Sequence, residues 1–337
     1  MKIALCFIIS YDHILNKEDL WREWIEPNKD IINVYFYYKD RTKIKSSWIL
    51  QHALPPSCIH ETSYYHVIPA YLSLMQHALK YDNQWICFLT DSCCPIISPR
   101  KFRALFYSYW NKSIMSWKPA WWNINVHKRA NLALLPEDLR LANDPWFVLK
   151  RENAEQILHF AKTKSQVVKT ICDGGLANES LFAIILHGYK QLKSEEIQVN
   201  SIIRQILYLA QWSLPMHKFI SKKQTIPSVI NAVTHLADWS RMDSATSPHT
   251  FTNANSMDIQ FIEDNLLKNK CAMFIRKIVR EFPDEILKKY IQKKDDHIIV
   301  MEPLLFIYRR WILHICNALY YGLIIICMLY GLKYIFL

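Results

Sequence analysis

Residues 85–89 form an unbroken apolar run, Trp-Ile-Cys-Phe-Leu, that ends in Thr90-Asp91-Ser92. A run this short and continuous reads as a strand buried on both faces, the kind found inside a helix-covered parallel sheet. Two similar runs precede it. Residues 3–9 are seven apolar residues ending at Ser10-Tyr11-Asp12, and residues 31–38 read Ile-Ile-Asn-Val-Tyr-Phe-Tyr-Tyr. Between them a helix starts near Asn16, with Leu20, Trp21 and Trp24 on one face. Helical spacing recurs over residues 64–81, where Ile68, Tyr71, Leu72, Met75 and Leu79 share a stripe, and over residues 99–109, 152–162, 179–192 and 257–267. Residues 194–228 are irregular, and residues 270–278 read as a strand or an apolar helix. Alternating strands and helices predict an α/β fold with a mostly parallel central sheet flanked by helices.

Composition narrows the function classes. The chain has 337 residues and is 51% hydrophobic, enough for a large core. Only 5 residues are Gly, with Gly174-Gly175 the one adjacent pair, which argues against a Gly-rich phosphate loop. The net charge of +11 suits nucleic acid, an anionic surface or a phosphorylated ligand. The charges are scattered; His127-Lys128-Arg129 and the Lys288-Lys289 and Lys293-Lys294 pairs are the densest groups. With no long basic tail, a nucleotide or surface role is expected and nucleic acid is not. The 9 Cys include no Cys-x-x-Cys pair, so metal-ligand spacing is absent. Cys6, Cys87 and Cys271 lie in apolar runs, which fits a reducing compartment. The Ile-, Lys- and Asn-rich composition suggests an AT-rich genome, such as that of a large DNA virus or a protist.

The two ends differ. The N-terminal apolar run is short for a signal peptide and reads as the first strand. Residues 311–332 are apolar and carry no formal charge. About 20 such residues cross a bilayer core. Tyr308, Trp311, Tyr330 and Tyr334 suit the two interfaces; Arg309-Arg310 precede the stretch and Lys333 follows it. His314 and Asn317 are polar interruptions. A buried core helix is the alternative to a single-pass C-terminal membrane anchor. The expectation is an anchor, with residues 301–310 as a basic juxtamembrane segment and the main domain, residues 1–300, on the cytosolic side.

Ligands of open α/β sheets bind beyond the carboxyl ends of strands, where Thr90-Asp91-Ser92 falls. Hydroxyls and a carboxylate suit a sugar or ribose; capping of the following turn is the other reading of Asp91. No second acid follows it to make an Asp-x-Asp metal site. Glu179 opens an apolar helix, where an acid often serves only the helix dipole. Arg241, Arg276 and Lys277, taken singly, read as surface charges. Trp146-Phe147 reads as core, and Trp121-Trp122 as core or as a sugar platform, although on a strand adjacent Trp cannot face one pocket.

Five segments, in order, resemble patterns of the core-2/I-branching β-1,6-N-acetylglucosaminyltransferase family and its plant-type branch. They are Phe88-Leu89-Thr90-Asp91-Ser92-Cys93-Cys94-Pro95-Ile96, Trp146-Phe147-Val148-Leu149-Lys150-Arg151 and Asn178-Glu179-Ser180-Leu181-Phe182, then Leu236-Ala237-Asp238-Trp239-Ser240-Arg241 with Pro248-His249-Thr250-Phe251, and Cys271-Ala272-Met273-Phe274-Ile275-Arg276-Lys277-Ile278. The resemblance covers roughly residues 1–285. It implies a GT-A-like glycosyltransferase fold and an inverting transfer from a UDP-sugar, with N-acetylglucosamine as the sugar, to a glycan or glycoprotein acceptor. No metal or other cofactor is implied. By the same resemblance Glu179 is the general base, and Asp91 and Ser92 lie on the donor side. Arg241 and Lys277 would contact the diphosphate, and Trp146 would stack on the acceptor sugar. His60-Glu61-Thr62-Ser63 falls where relatives carry a small-residue turn near the donor. The departures are Thr-Asp-Ser for Ser-Glu-Ser, Asn178 for an Asp, and an anchor at the other end of the chain. They leave open a second expectation, a membrane-anchored binding or scaffold protein on a decayed transferase fold.

Overall fold

The computed structural model describes residues 1–192, 228–244 and 247–304, with isolated positions between 307 and 322. The strands in chain order are β1 (Lys2–Ile8), β2 (Ile32–Tyr37), β3 (Asn83–Thr90), β4 (Cys94–Pro95), β5 (Ser113–Ile114), β6 (Trp117–Pro119), β7 (Leu141–Asn143), β8 (Val148–Lys150), β9 (Val229–Ile230), β10 (His235–Ala237) and β11 (Phe274–Arg276). The helices are α1 (Glu18–Ile25), α2 (Ser47–His52), α3 (Ile68–Ala78), α4 (Pro99–Tyr109), α5 (Arg151–Thr163), α6 (Ser165–Cys172), α7 (Leu181–Gly188), α8 (Ser256–Lys268) and α9 (Asp284–Ile291).

The central sheet has the order β2-β1-β3-β8-β5-β9. β1 pairs in parallel with both β2 and β3; β8 is antiparallel to β3 and to β5, and β9 is parallel to β5. Within this sheet β8 alone runs against the rest, so the sheet is mostly parallel, as the apolar runs predict. Both its faces are covered, and side chains alternate between them along each strand. Ile3, Leu5 and Phe7 of β1 join Trp85, Cys87 and Leu89 of β3 in a core with α1, α4, α8 and α9. Ala4 and Cys6, with Ile86 and Phe88, face the other core, filled by α3, α5, α6 and α7. Trp21 and Trp24 fix α1 by more than burial. Their ring N–H groups donate to the Cys93 and Ile97 carbonyls at 3.0 and 2.7 Å.

A second sheet has the order β10-β11-β4, with β11 antiparallel to β4. A hairpin of β6 and β7 pairs Trp117 with Asn143.

Two helices start later than the periodicity predicts. Residues 63–66 close a turn, with the His66 N–H donating to the Ser63 carbonyl at 3.1 Å, so α3 begins at Ile68 with Pro69 in its first turn. Leu176 has left-handed backbone (φ 48°) and starts a 3-10 turn over Ala177–Glu179, after which α7 begins at Leu181. Glu179 therefore precedes the helix instead of lying in its first turn.

The irregular stretch falls largely outside the described residues, as does most of the expected membrane helix over residues 311–332. Among the described residues no helix is long and apolar enough to cross a membrane.

Buried Asn143 holds the Glu179 turn in place. Its amide donates to the Asn178 carbonyl at 2.9 Å and its carbonyl accepts from the Ala183 N–H at 3.1 Å. Asn143→Ala removes both partners inside the core. A loss of about 1–3 kcal/mol in denaturant unfolding is the expected outcome. Unchanged stability would show that the turn is held by something else.

Candidate active site

A cavity of about 850 Å³ opens beyond the carboxyl ends of β1, β2 and β3, lined there by Ser10, Tyr38 and Asp91 among others. This is where an α/β sheet leaves backbone groups and side chains free for a ligand. The β6–β7 hairpin brings Ser116, Lys118 and Asp144 to the wall, the turn before α7 brings Glu179, and the end of β11 brings Arg276 and Lys277.

Asp91 and Ser92 line this cavity as the strand-end reading expects. The Asp91 carboxylate accepts the Ser10 N–H at 2.9 Å, so it ties the end of β3 to that of β1 and does not cap its own turn. The Ser92 hydroxyl is 3.3 Å from that of Thr90, and its carbonyl accepts the Ile278 N–H at 2.9 Å. Thr62 and Ser63 also reach the wall.

Arg276 is buried, with its guanidinium 3.6 Å from the Trp146 ring centroid. It forms no ion pair among the described residues, and its Nε has no hydrogen-bond partner. Burial lowers its pKa. A guanidinium held this way is costly unless an anion completes it. Lys277 lies beside it, its ammonium donating to the Ser247 hydroxyl. Burial and the Arg276 charge push that lysine down in pKa, with Asp243 opposing.

Trp146 lines the cavity but is only 7% exposed, and Arg276 covers a face of its ring. One face of the ring that the resemblance assigns to a sugar is thus occupied by a cation.

Arg241 does not line the cavity. Its Nε is 2.6 Å from Asp238 and a terminal nitrogen is 2.8 Å from Asp258, both buried acids. Burial pushes the Asp238 carboxyl up, but hydrogen bonds from Ser240 and Arg241 outweigh it and hold it low. His249 joins Asp258 at 3.2 Å. Arg241 thus braces the segment whose Trp239, Met242 and Pro248 line the wall.

Glu179 is partly buried, 3.2 Å from an Arg129 guanidinium nitrogen. Burial raises its pKa; Arg129 opposes the rise and Asp144 adds to it. Asp144 is itself raised by burial, with Ser116 and Lys118 opposing. The sequence marks neither Arg129 nor Asp144 as a site residue. Arg129 belongs to a dense basic group, and Asp144 precedes the Pro-Trp-Phe segment with no spacing to mark it. Trp121 and Trp122 both line the cavity, because their segment is not a strand and the rings meet edge to face at 5.0 Å. Among the described residues no group of three or more His, Cys, Asp or Glu could hold a metal ion.

The cavity therefore joins a carboxylate of raised proton affinity to a buried, unpaired cation, a pairing suited to deprotonating one group while an anion departs from another. A search of curated proteins finds no match. The profile of the Core-2/I-Branching enzyme family matches residues 36–264, more than half of the chain. That span holds Asp91, Asp144 and Glu179, and by this match the chain belongs to the Core-2/I-branching enzyme family, a family of glycosyltransferases.

Proposed function

We propose that this chain is an inverting, metal-independent glycosyltransferase that moves N-acetylglucosamine from a UDP-sugar to a glycan or glycoprotein acceptor. The observation that carries the reading is that Glu179 and the buried Arg276 line the same cavity. Its volume of about 850 Å³ suits a nucleotide-sugar with part of an acceptor.

In this mechanism Glu179 takes the proton of an acceptor hydroxyl. The oxygen attacks the anomeric carbon from the face opposite the phosphate. The new glycosidic bond forms as the sugar–phosphate bond breaks, and UDP leaves with the bonding pair. Arg276, with Lys277 beside it, stabilises the charge that collects on the diphosphate, the task a metal ion performs elsewhere. Asp91 and Ser92 face the donor. Arg241, expected at the diphosphate, acts in this proposal as a brace.

Trp311, Ile315 and Leu319, four residues apart, are 65, 55 and 68% exposed. Apolar side chains turned outward at this spacing support a single-pass anchor over residues 311–332. The Arg309-Arg310 pair before it favours residues 1–300 on the cytosolic side.

Glu179→Gln should lower kcat by about 10²–10⁴-fold, while calorimetry still shows UDP binding. Full activity in that variant removes Glu179 from the mechanism, and no UDP binding by the unaltered protein favours a scaffold. Activity lost in EDTA and restored by manganese would contradict metal independence. Because Glu179 must be ionised and burial raises its pKa, activity should fall with decreasing pH above the ordinary Glu value of about 4.3.

Deleting residues 309–337 should release the protein from vesicles with UDP binding intact. Protection of residues 1–300 from protease in sealed vesicles would reverse the orientation.

A further inference from the structure

A second cavity of about 350 Å³ adjoins the first, and Tyr64, His127, Arg129, Leu176 and Glu179 line both. Its wall is built from three chain segments locked together. The Leu176 N–H donates to the Tyr65 carbonyl at 2.7 Å, and the Ala130 N–H donates to the Gly175 carbonyl at 2.9 Å. A Cβ at Gly174 would fall 2.1 Å from the Asn131 nitrogen, so only glycine allows the approach. Gly175, Leu176, Ala130 and Asn131 all take left-handed backbone here. Such conformations persist where the surrounding structure over-determines them.

The lining has two chemical characters. Tyr64 and Tyr65 are 67 and 57% exposed and meet edge to face, offering aromatic surface of the kind that packs on a sugar ring. His127, Lys128 and Arg129 follow one another along the opposing segment. Glu179 is the one carboxylate on the described wall, and Arg129 already matches it. Lys128 has no ion pair among the described residues. The cavity is therefore left with surplus positive charge, which favours an anion over a neutral group.

We propose that the second cavity is an acceptor subsite for an anionic sugar, whose carboxylate or sulfate pairs with Lys128 and draws Arg129 away from Glu179. The proposal rests on the transferase reading of the first cavity. Glu179 lies on the boundary, so the reacting hydroxyl sits in the first cavity while the anionic residue occupies the second. Binding of the anion then frees the Glu179 carboxylate from its guanidinium partner at the moment an acceptor is in place. Acceptor recognition and release of the base become one event.

Initial rates with three matched disaccharide acceptors test this, at a fixed concentration of UDP-N-acetylglucosamine. One carries a neutral hexose at the distal position, one the corresponding uronic acid, and one the sulfated hexose. The expected result is a KM roughly five-fold or more lower for an anionic acceptor, an advantage that shrinks as salt rises. Lys128→Gln should reduce that ratio and Lys128→Glu should reverse it. The acceptor with the lower KM identifies carboxylate or sulfate as the ligand. Equal or higher KM for both anionic acceptors overturns the subsite and leaves the transferase reading standing. So does an anionic preference that both Lys128 variants retain. Transfer to none of the three, together with no binding of UDP, overturns the transferase reading and this subsite with it.

Discussion

The antiparallel pairing of β4 with β11 is the constraint on which the site depends. It sets Ile275 opposite Cys94 and Phe274 opposite Pro95. The segment just after Thr90-Asp91-Ser92 is thereby bonded to the segment just before Lys277. The Ile278 N–H closes the junction by donating to the Ser92 carbonyl at 2.9 Å, and the Phe251 N–H donates to the Lys277 carbonyl at 2.8 Å. Two cations from late in the chain arrive beside the end of the central strand. Phe274 anchors the arrangement from below, packed against Trp21, Trp24 and Phe102. The large aromatic core and the charge placement above it are one structure.

Electrostatics in the cavity follow from that placement. Arg276 is pressed on Trp146 and away from water, and its field lowers the proton affinity of Asp144 and Glu179 while burial raises both. Arg276 is held on Trp146 before any ligand enters, so little reorganisation is needed on the anion side when charge moves during transfer. Arg241 contributes at one remove. Bound between Asp238 and Asp258, it stiffens the segment that carries Trp239 and Met242 to the cavity.

Much of the scaffold was legible in the sequence. Continuous apolar runs marked β1, β2 and β3 because those strands are buried on both faces, and a spaced stripe marked α1 through Leu20, Trp21 and Trp24. The strand-end location of Asp91 and Ser92 followed from the same logic. Other features carry no local signal. Nothing in the sequence near Arg241 reveals that two buried acids, one of them on α8, consume its charge. Leu176 takes left-handed backbone without being Gly or Asn, so the 3-10 turn that sets Glu179 ahead of α7 has no residue to mark it. Arg129 and Asp144 lie outside periodic elements and become a pair of influences on Glu179 only when distant segments meet.

The stereochemistry of the product tests the central claim most directly. A single base acting with an anion site, and no enzyme nucleophile, displaces the phosphate once and inverts the anomeric carbon. Proton NMR of the oligosaccharide formed from α-linked UDP-N-acetylglucosamine reads the outcome in the anomeric coupling of the transferred sugar. A β-linked product is the expected result. An α-linked product would require either two displacements or attack on the face the phosphate leaves, and would contradict the roles given to Glu179 and Arg276.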